Sequence, residues 1–502
     1  MDVVLWGLAR NPALPSRLLD RLIEVADGPG ADDLARRGDL GVARAVRLVE
    51  RCPETAVVLV RAGLLAADVV DPRARPLAAL ALLAAGTGAE WAPGFAADPV
   101  VEHRVRLAEC PGLPGEVVDR LAADPDPRVV AELALWTTSA EVVDRLARHP
   151  HAEVRAAVAL NEAASPAVLA GLLGGEGFPS AKECLVCARE EIPFRHESGC
   201  QRVGCDLPAG ASCDGSHEST VVTTRWRVVG NPATPAEAVI GFVDDPWLPV
   251  REQLASRPDL PPSTYRRLAA DPIPGVRRAL AENPAIDEDL IRALVLDDGH
   301  DVRRGLAHNP RVPLDVLAVL TDAARIGPVL LPRVAAATAA EVGELAASPN
   351  PELRMLLAQR RDLPPAVRDV LAADPDAKVA ASIAAHPGLS EASLRAVVDR
   401  HGIRVHAAVA ANPDAPAALL EELALHRPPI RKALHAIARH PNATATALLP
   451  CLADPKAKPL AAAHPALPAP TITALLAADP ATAMAAAGNS SLPLAAMASL
   501  VP

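Results

Sequence analysis

Short apolar stripes, each ended by a turn dyad that usually contains proline, recur along the chain with a fixed period. Between residues 231 and 310 the dyads are alternately 14 and 12 residues apart: Asn231-Pro232, Asp245-Pro246, Arg257-Pro258, Asp271-Pro272, Asn283-Pro284, Asp297-Asp298 and Asn309-Pro310. The repeat is therefore 26 residues long and has two arms. Such a period is typical of a repeat protein, in which each unit buries its apolar face against its neighbours.

The first arm of each repeat predicts an α-helix of about two to three turns. In the copy that starts at Asp271, the apolar positions follow the i, i+3, i+4 spacing of one helix face: Val276, Ala279 and Leu280. We expect Asp271 to cap the first turn and Pro272 to take the first helical position. Asn283 and the proline after it should end the helix.

The second arm predicts a shorter helical piece. In the same copy its apolar residues lie four apart: Ile286, Leu290 and Leu294. Other copies open this arm with a capping residue and a proline, as in Ser165-Pro166 and Thr234-Pro235. Helices shorter than about 12 residues are marginal in water, so stacking between repeats must supply the core.

The pattern (Asp-Pro)xxx(Val-Arg)xx(Leu-Ala)x(Asn-Pro) resembles the leucine-rich repeat variant family, a helical relative of HEAT-like arrays. The resemblance covers residues 98–175 and 219–440. It implies a right-handed superhelix, an α-solenoid, of alternating α and 3₁₀ helices. The family's described member also carries a cysteine-rich iron-sulfur module at its N-terminus, whereas the cysteines of this chain are internal.

The repeat frame predicts an all-α protein with five segments. They are degenerate repeats at 1–97, helical repeats at 98–175, a Cys/His-rich insertion at 176–218, regular repeats at 219–440 and degenerate capping repeats at 441–502. The insertion has no place in the frame, because a second arm precedes it and a first arm starts again at Ser219. It has few core residues, so it needs another source of folding free energy.

Composition narrows the function classes. Aromatic residues make up only 2% of the chain and the net charge is −11, which argues against large aromatic-lined pockets and against a basic nucleic-acid binder. No hydrolase, metalloprotease, kinase or phosphate-loop motif is present, so we expect no enzyme. No secretory signal is visible and the longest apolar runs are too short to cross a membrane, which favours the cytoplasm.

The insertion predicts a metal site, because metal can supply the folding free energy that it lacks. Five of the eight cysteines crowd into it, with two histidines in reserve: Cys184, Cys187, Cys200, Cys205 and Cys213, then His196 and His217. The CxxC pair at 184 and 187 directs two thiolates at one ion, and a second cysteine pair completes a tetrahedron. Zinc is the preferred ion, and a 4Fe-4S cluster or a redox-active loop is the alternative. Seven candidates for one four-coordinate ion leave room for a second ion or for spectators.

An arginine six residues after the start of the first-arm dyad recurs along the array: Arg104, Arg155, Arg225, Arg251, Arg277, Arg303 and Arg354. Pairing with the aspartates of the dyads is the favoured interpretation. A partner-binding face made of Arg225, Arg251, Arg277 and Arg303 is the alternative. We expect the histidines that precede prolines to be turn residues, and Cys52, Cys110 and Cys451 to be structural.

These patterns favour a non-enzymatic scaffold that binds another protein and carries a structural zinc module. An iron-sulfur redox or electron-transfer protein is one alternative, and a nucleic-acid-binding HEAT-like protein is another. From residue 459 to the end, Asp479 is the only formally charged side chain. A terminal repeat usually has a polar outer face, so this end is predicted to dock onto a partner or a second copy of the chain, and the alternative is an Ala-rich cap whose small side chains are tolerably soluble.

Overall fold

The computed structural model describes residues 3–174, 178–188, 191–197, 199–201, 205, 207 and 209–501. Helices make up the regular secondary structure of these residues apart from one short β-hairpin and one isolated bridge, so the predicted all-α class is confirmed. The chain divides into two compact units. The central unit is residues 65–309, and the composite unit joins residues 1–64 with residues 310–502.

The helices are short throughout, as the density of prolines predicts. The N-terminal part of the composite unit contains α1 (Val3–Arg10), α2 (Ser16–Glu24), α3 (Gly28–Ala35), α4 (Val42–Arg51) and α5 (Ala56–Arg61). The central unit contains α6 (Pro76–Ala84), α7 (Ala92–Phe95), α8 (Val101–Ala108), α9 (Gly115–Ala122), α10 (Pro127–Trp136), α11 (Ala140–Leu146), α12 (Ala152–Val158), α13 (Pro166–Leu172), α14 (Glu218–Gly230), α15 (Ala236–Val239), α16 (Leu248–Ala255), α17 (Pro262–Ala269), α18 (Pro274–Glu282), α19 (Glu288–Leu294) and α20 (His300–Ala307).

The C-terminal part of the composite unit contains α21 (Leu314–Ala323), α22 (Pro332–Ala335), α23 (Ala339–Ala346), α24 (Pro351–Leu357), α25 (Pro365–Ala372), α26 (Ala377–Ala384), α27 (Glu391–His401), α28 (His406–Ala410), α29 (Ala417–Leu425), α30 (Arg431–Ile437), α31 (Ala445–Leu448), α32 (Lys458–Ala462), α33 (Ala469–Leu475), α34 (Pro480–Ala487) and α35 (Leu494–Leu500). Short 3₁₀ helices lie at Pro53–Thr55, Ala67–Val69, Ala89–Trp91, Ile240–Asp244, Gly402–Arg404 and Leu449–Ala453. The hairpin pairs β1 (Phe194–Arg195) with β2 (Ser212–Cys213) in antiparallel register.

First-arm helices of successive repeats pack side by side, as α16, α18 and α20 do in the central unit. The prediction that Asp271 caps α18 and that Pro272 is its first residue is wrong. The helix begins at Pro274, two residues after the predicted first position. Asp271 instead accepts a hydrogen bond from the backbone N–H of Ile273 (2.8 Å), which forms a turn before the helix. The predicted end is correct, since Glu282 is the last helical residue and Asn283 follows it.

The second arms open in two different ways. Ser165 caps α13 as predicted, because its hydroxyl accepts a hydrogen bond from the N–H of Val168 (3.3 Å). The same prediction for Thr234 is wrong. Its hydroxyl donates to the carbonyl of Val228 in the preceding helix (2.6 Å), and α15 follows Pro235 without a side-chain cap.

A buried asparagine connects each of several repeats to the one before it. Nδ2 of Asn283 donates to the carbonyls of Ala255 (2.8 Å) and Arg257 (2.7 Å). These carbonyls lie at a helix end, where no backbone N–H of the helix can reach them. We call this arrangement the asparagine ladder. Its other members with two such bonds include Asn161, Asn231, Asn309, Asn412 and Asn489.

Other side chains replace asparagine in some repeats. Arg257 reaches the carbonyls of Val229 (2.8 Å) and Asn231 (3.2 Å), and its guanidinium is held by Asp259. Arg37 and Arg360 make similar contacts, each with an aspartate two residues later. His440 donates from Nε2 to the carbonyl of Asn412 (2.7 Å), which agrees with its predicted structural role.

The two ends of the chain meet in the composite unit, where α1 packs against α34. Asn11 donates to the carbonyls of Ala487 (2.9 Å) and Asn489 (2.7 Å), so the asparagine ladder continues from the last repeats into the first. A Cβ on Gly7 would lie 2.0 Å from the Met484 carbonyl oxygen, which requires glycine there. Part of the weakly charged C-terminal segment is thus covered by the chain's own N-terminus, and self-association through this segment stays a prediction.

Candidate metal centre

The helical stack continues past the insertion. α12 and α14, which flank it in sequence, contact each other directly. Asn231 donates to the carbonyl of Ala159 (3.0 Å), and Arg227 donates to the carbonyl of Ala156 (2.8 Å). The helices before and after the insertion therefore stack directly on each other, while the bounds 176–218 of the insertion stay a prediction.

Backbone hydrogen bonds attach the insertion to the start of α12. The N–H of Lys182 donates to the carbonyl of Pro150 (2.8 Å), and the N–H of Ala152 donates to the carbonyl of Glu183 (2.8 Å). These bonds form a short parallel bridge between His151 and Glu183. The bridge ends one residue before Cys184, so it fixes the start of the CxxC loop against the array.

Four ligand-type side chains converge directly after this bridge. We call them the inner cluster: Cys184, Cys187, Cys213 and His217. Their ligand atoms all lie within 4.8 Å of one another. Nδ1 of His217 is 3.6 Å from Sγ of Cys187 and 3.4 Å from Sγ of Cys213. Metal bonds of about 2.3 Å to sulfur and about 2.0 Å to nitrogen, at tetrahedral angles, would give about 3.5 Å for this separation.

Local backbone conformation directs these side chains inward. In the CxxC turn the N–H of Cys184 donates to Sγ of Cys187 (3.1 Å). Gly215, at a φ of 98° that favours glycine, donates its N–H to Sγ of Cys213 (3.3 Å). His217 has a φ of 55°, and among the described residues it is the only non-glycine residue with a positive φ. Such strain is kept where the surroundings require it, and here it places the imidazole beside two thiols at the start of α14.

The inner cluster fits a metal cation. Cys184, Cys213 and His217 are buried, and Cys187 is half-buried. Burial raises the pKa of Cys184 to about 12, so the free thiol would stay protonated at neutral pH. A bound cation replaces that proton, since a coordinating thiol is deprotonated. Three thiolates and one imidazole are a donor set that structural zinc sites use.

Glu153 supports the inner cluster, and the sequence carries no signal for it. One of its carboxylate oxygens accepts hydrogen bonds from the N–H of Leu185 (3.1 Å) and the hydroxyl of Thr220 (3.3 Å). Burial opposes ionisation of Glu153, but the contact with His151 and the hydrogen bond from the N–H of Leu185 outweigh it and lower the pKa of this carboxyl. An acidic residue in the first turn of a helix is common, which is why the sequence does not distinguish this one.

The remaining three candidates form a second group, which we call the outer cluster: His196, Cys200 and Cys205. Their ligand atoms also lie within 4.8 Å of one another. The structure thus places the seven predicted residues in two groups rather than one. Both reserve histidines join a group, and Cys200 and Cys205 do not join the CxxC pair. Cys52, Cys110 and Cys451 lie buried and apart from both groups.

The predicted arginines mostly serve contacts between repeats. Arg251 pairs with Asp271 of the next repeat (2.7 Å) and also donates to the carbonyl of Asp245 (2.6 Å). The same ion pair, to an aspartate 20 residues later, is made by Arg104, Arg225, Arg277 and Arg354. Arg155 and Arg303 bond to backbone carbonyls. Of the four proposed partner-binding arginines, Arg225, Arg251 and Arg277 are therefore engaged within the array.

A groove of about 550 Å³ lies between the insertion and the helices α10, α12 and α14. Ala156, Ala157 and Leu160 line the groove on the α12 side. In α16, the positions that correspond to Ala156 and Ala157 hold the longer side chains of Glu252 and Gln253. The insertion lines the opposite side through residues that include Leu185, Val186 and Leu207. The small side chains of α12 thus open an apolar groove beside the inner cluster.

No model of a known protein family matches the chain, and none of the curated proteins matches it. Across the described residues, every helix is too short or too polar to span a lipid bilayer.

Proposed function

We propose that this protein is a non-enzymatic cytoplasmic scaffold that binds another protein in the groove between α12 and the insertion. The groove carries the proposal. Its volume lies in the range of binding sites, and its lining is mostly apolar. Leu160 (44% exposed) lines the groove, and two further large apolar side chains are exposed on the helices beside it: Trp136 of α10 (56%) and Trp226 of α14 (42%). Tryptophan is enriched among the residues that contribute most to binding at protein–protein interfaces.

The use of the arginines supports a protein partner over nucleic acid. A phosphate-binding face needs free cationic side chains, because neutralised phosphates supply most of the affinity. In the array, Arg225, Arg251 and Arg277 are instead paired with aspartates of the next repeat. The net charge of −11 supports the same choice.

We further propose that the inner cluster holds a structural zinc ion. An imidazole beside three thiolates suits zinc, whereas 4Fe-4S clusters are usually held by four cysteines. The two-armed repeats and the asparagine ladder also support the resemblance to the leucine-rich repeat variant family, with its right-handed superhelix. The internal position and mixed donor set of the inner cluster separate it from that family's iron-sulfur module.

The partner proposal is tested by removing the exposed apolar side chains. The triple substitution Trp136→Ala, Leu160→Ser and Trp226→Ala is compared with Leu296→Ser, which removes another exposed leucine of the central unit (81% exposed). Proteins cross-linked to each variant in cell extract are quantified. We expect at least one protein to be lost from the triple variant and kept by Leu296→Ser. Equal recovery of every protein would contradict the proposal.

The zinc proposal is tested by elemental analysis of the chain purified under reducing conditions. We expect zinc and a colourless protein. Iron with absorption in the visible range would instead favour the redox alternative.

A further inference from the structure

We propose that the outer cluster binds a second metal ion of the zinc type, separate from the ion of the inner cluster. The observation behind it is the convergence of one imidazole and two thiols within 4.8 Å. Nε2 of His196 is 3.2 Å from Sγ of Cys205, close to the separation of two ligands on one zinc ion. This inference deepens the metal part of the proposed function and is independent of the groove and its partner.

The hairpin separates the two clusters. Cys213 lies in β2 opposite Phe194 of β1 and belongs to the inner cluster. His196 follows β1 directly and belongs to the outer cluster. The antiparallel hydrogen bonding of the hairpin continues past the two strands. The N–H of His196 donates to the carbonyl of Ala211 (2.6 Å), and the N–H of Gly210 donates to the carbonyl of His196 (3.1 Å). The hairpin therefore carries one ligand towards each cluster, and the two clusters share no ligand.

The chemistry of the outer part of the insertion calls for such an ion. The small core of the insertion surrounds the inner cluster, where Cys184 and Cys213 pack with Ala152 and Val186. Among the described residues between Arg195 and Cys205, none belongs to that core. A segment with little apolar burial needs another source of folding free energy, and a metal ion bound by the three converging side chains would supply it. Zinc is commonly bound by three protein ligands with a water or another donor in the fourth position.

The two clusters differ in exposure, which predicts unequal metal release. Cys184 and Cys213 of the inner cluster are buried, at 2% and 5% exposure. In the outer cluster Cys200 is half-buried and Cys205 is exposed. A chelator in solution therefore reaches the outer ion first, and the inner ion should leave in a slower phase.

Metal content distinguishes the two sites. The full chain is purified under reducing conditions, and zinc per chain is measured for the wild type, Cys205→Ser, Cys187→Ser and the control Cys110→Ser, which removes a buried cysteine outside both clusters. We expect two ions in the wild type and the control, and one in Cys205→Ser. A fast phase of release to a chelator should be present in the wild type and absent from Cys205→Ser.

Cobalt titration gives a second measurement that does not depend on one variant. Five cysteines ligate two ions in the wild type and three ligate one ion after loss of the outer site, so the thiolate-to-cobalt absorption should fall by about two fifths in Cys205→Ser and also in His196→Ala. One ion in the wild type that is lost in Cys187→Ser but kept in Cys205→Ser would overturn the second site and leave the inner zinc site standing. A disulfide between Cys200 and Cys205 in the purified chain would also overturn it. A wild type without metal would contradict both proposals.

Discussion

The regular repeats and the insertion reach a folded state by different physical means. In the repeats around α18, an apolar stripe is buried and one asparagine satisfies two carbonyls of the preceding helix end. Such contacts recur along the array, so each of them contributes a small part of the total stability. In the insertion a single small core surrounds the inner cluster. Loss of one ladder residue should therefore weaken the array locally, whereas loss of the CxxC pair should unfold the part of the insertion around the inner cluster.

Removing the CxxC pair should have the largest effect. In Cys184→Ser with Cys187→Ser, we expect loss of the inner metal ion and of ordered structure around the inner cluster, because the small core of the insertion contains Cys184. The helical circular dichroism signal should stay nearly unchanged. Metal analysis and limited proteolysis measure the effect, and Cys110→Ser is the control. A large loss of helicity would show that the insertion is part of the array's own core.

Removing a ladder amide should cost stability in the array alone. Asn283→Ala leaves the buried carbonyls of Ala255 and Arg257 without this donor. We expect the free energy of unfolding to fall by about 1–3 kcal/mol, the cost of one unsatisfied buried polar group, because the Arg257 carbonyl still accepts a hydrogen bond from the Tyr265 hydroxyl (2.8 Å). Denaturant unfolding measures it. Asn283→His is the matched variant and should lose less, because His440 donates to the carbonyl of Asn412 in the repeat before its own.

A methyl group at Gly7 should disturb the contact between the two ends of the chain. In Gly7→Ala the Cβ would lie 2.0 Å from the Met484 carbonyl oxygen, so α1 and α34 must move apart. We expect a loss of about 1–3 kcal/mol, as for other overpacked sites. Gly343→Ala in α23 is the control. That position has open space around it, and alanine there should be neutral or stabilising by up to about 1 kcal/mol. Equal melting temperatures for the two variants would contradict the contact.

Removing one arginine of the inter-repeat pairs should have the smallest effect, and the effect should depend on pH. Arg277 donates to Asp297 and holds the pKa of that carboxyl below its ordinary value of 3.8. The lowered pKa means that the pair stabilises the fold above pH 3.8 and loses this contribution as the pH falls below it. Arg277→Gln should therefore cost about 1–2 kcal/mol at pH 7 and progressively less in acid. Arg303→Gln, which removes a bond to the Asp297 carbonyl and only the weaker charge effect of Arg303 on the Asp297 carboxyl, should show a smaller pH dependence.

Periodicity predicted the helices of the array well, because each repeat solves the same packing problem. Val276 and Leu280 are fully buried as expected, whereas Ala279 is half-buried and Ala281 is buried instead. The residues that start α18 were assigned wrongly, because the sequence does not show whether an aspartate caps a helix or closes the turn before it. Similarly, spacing predicted the seven metal-ligand candidates but not their division, which depends on the hairpin that separates His196 from Cys213. The supporting role of Glu153 depends on contacts across 32 and 67 residues of sequence.

Hydrogen exchange of the backbone amides, with and without a strong chelator, tests most directly whether the insertion and the array are held by different means. Chelation should remove amide protection first around the outer cluster and then around the inner cluster. The amides of α16, α18 and α20 should keep their protection. Loss of protection in those helices, or unchanged exchange in the insertion after complete metal removal, would contradict this prediction.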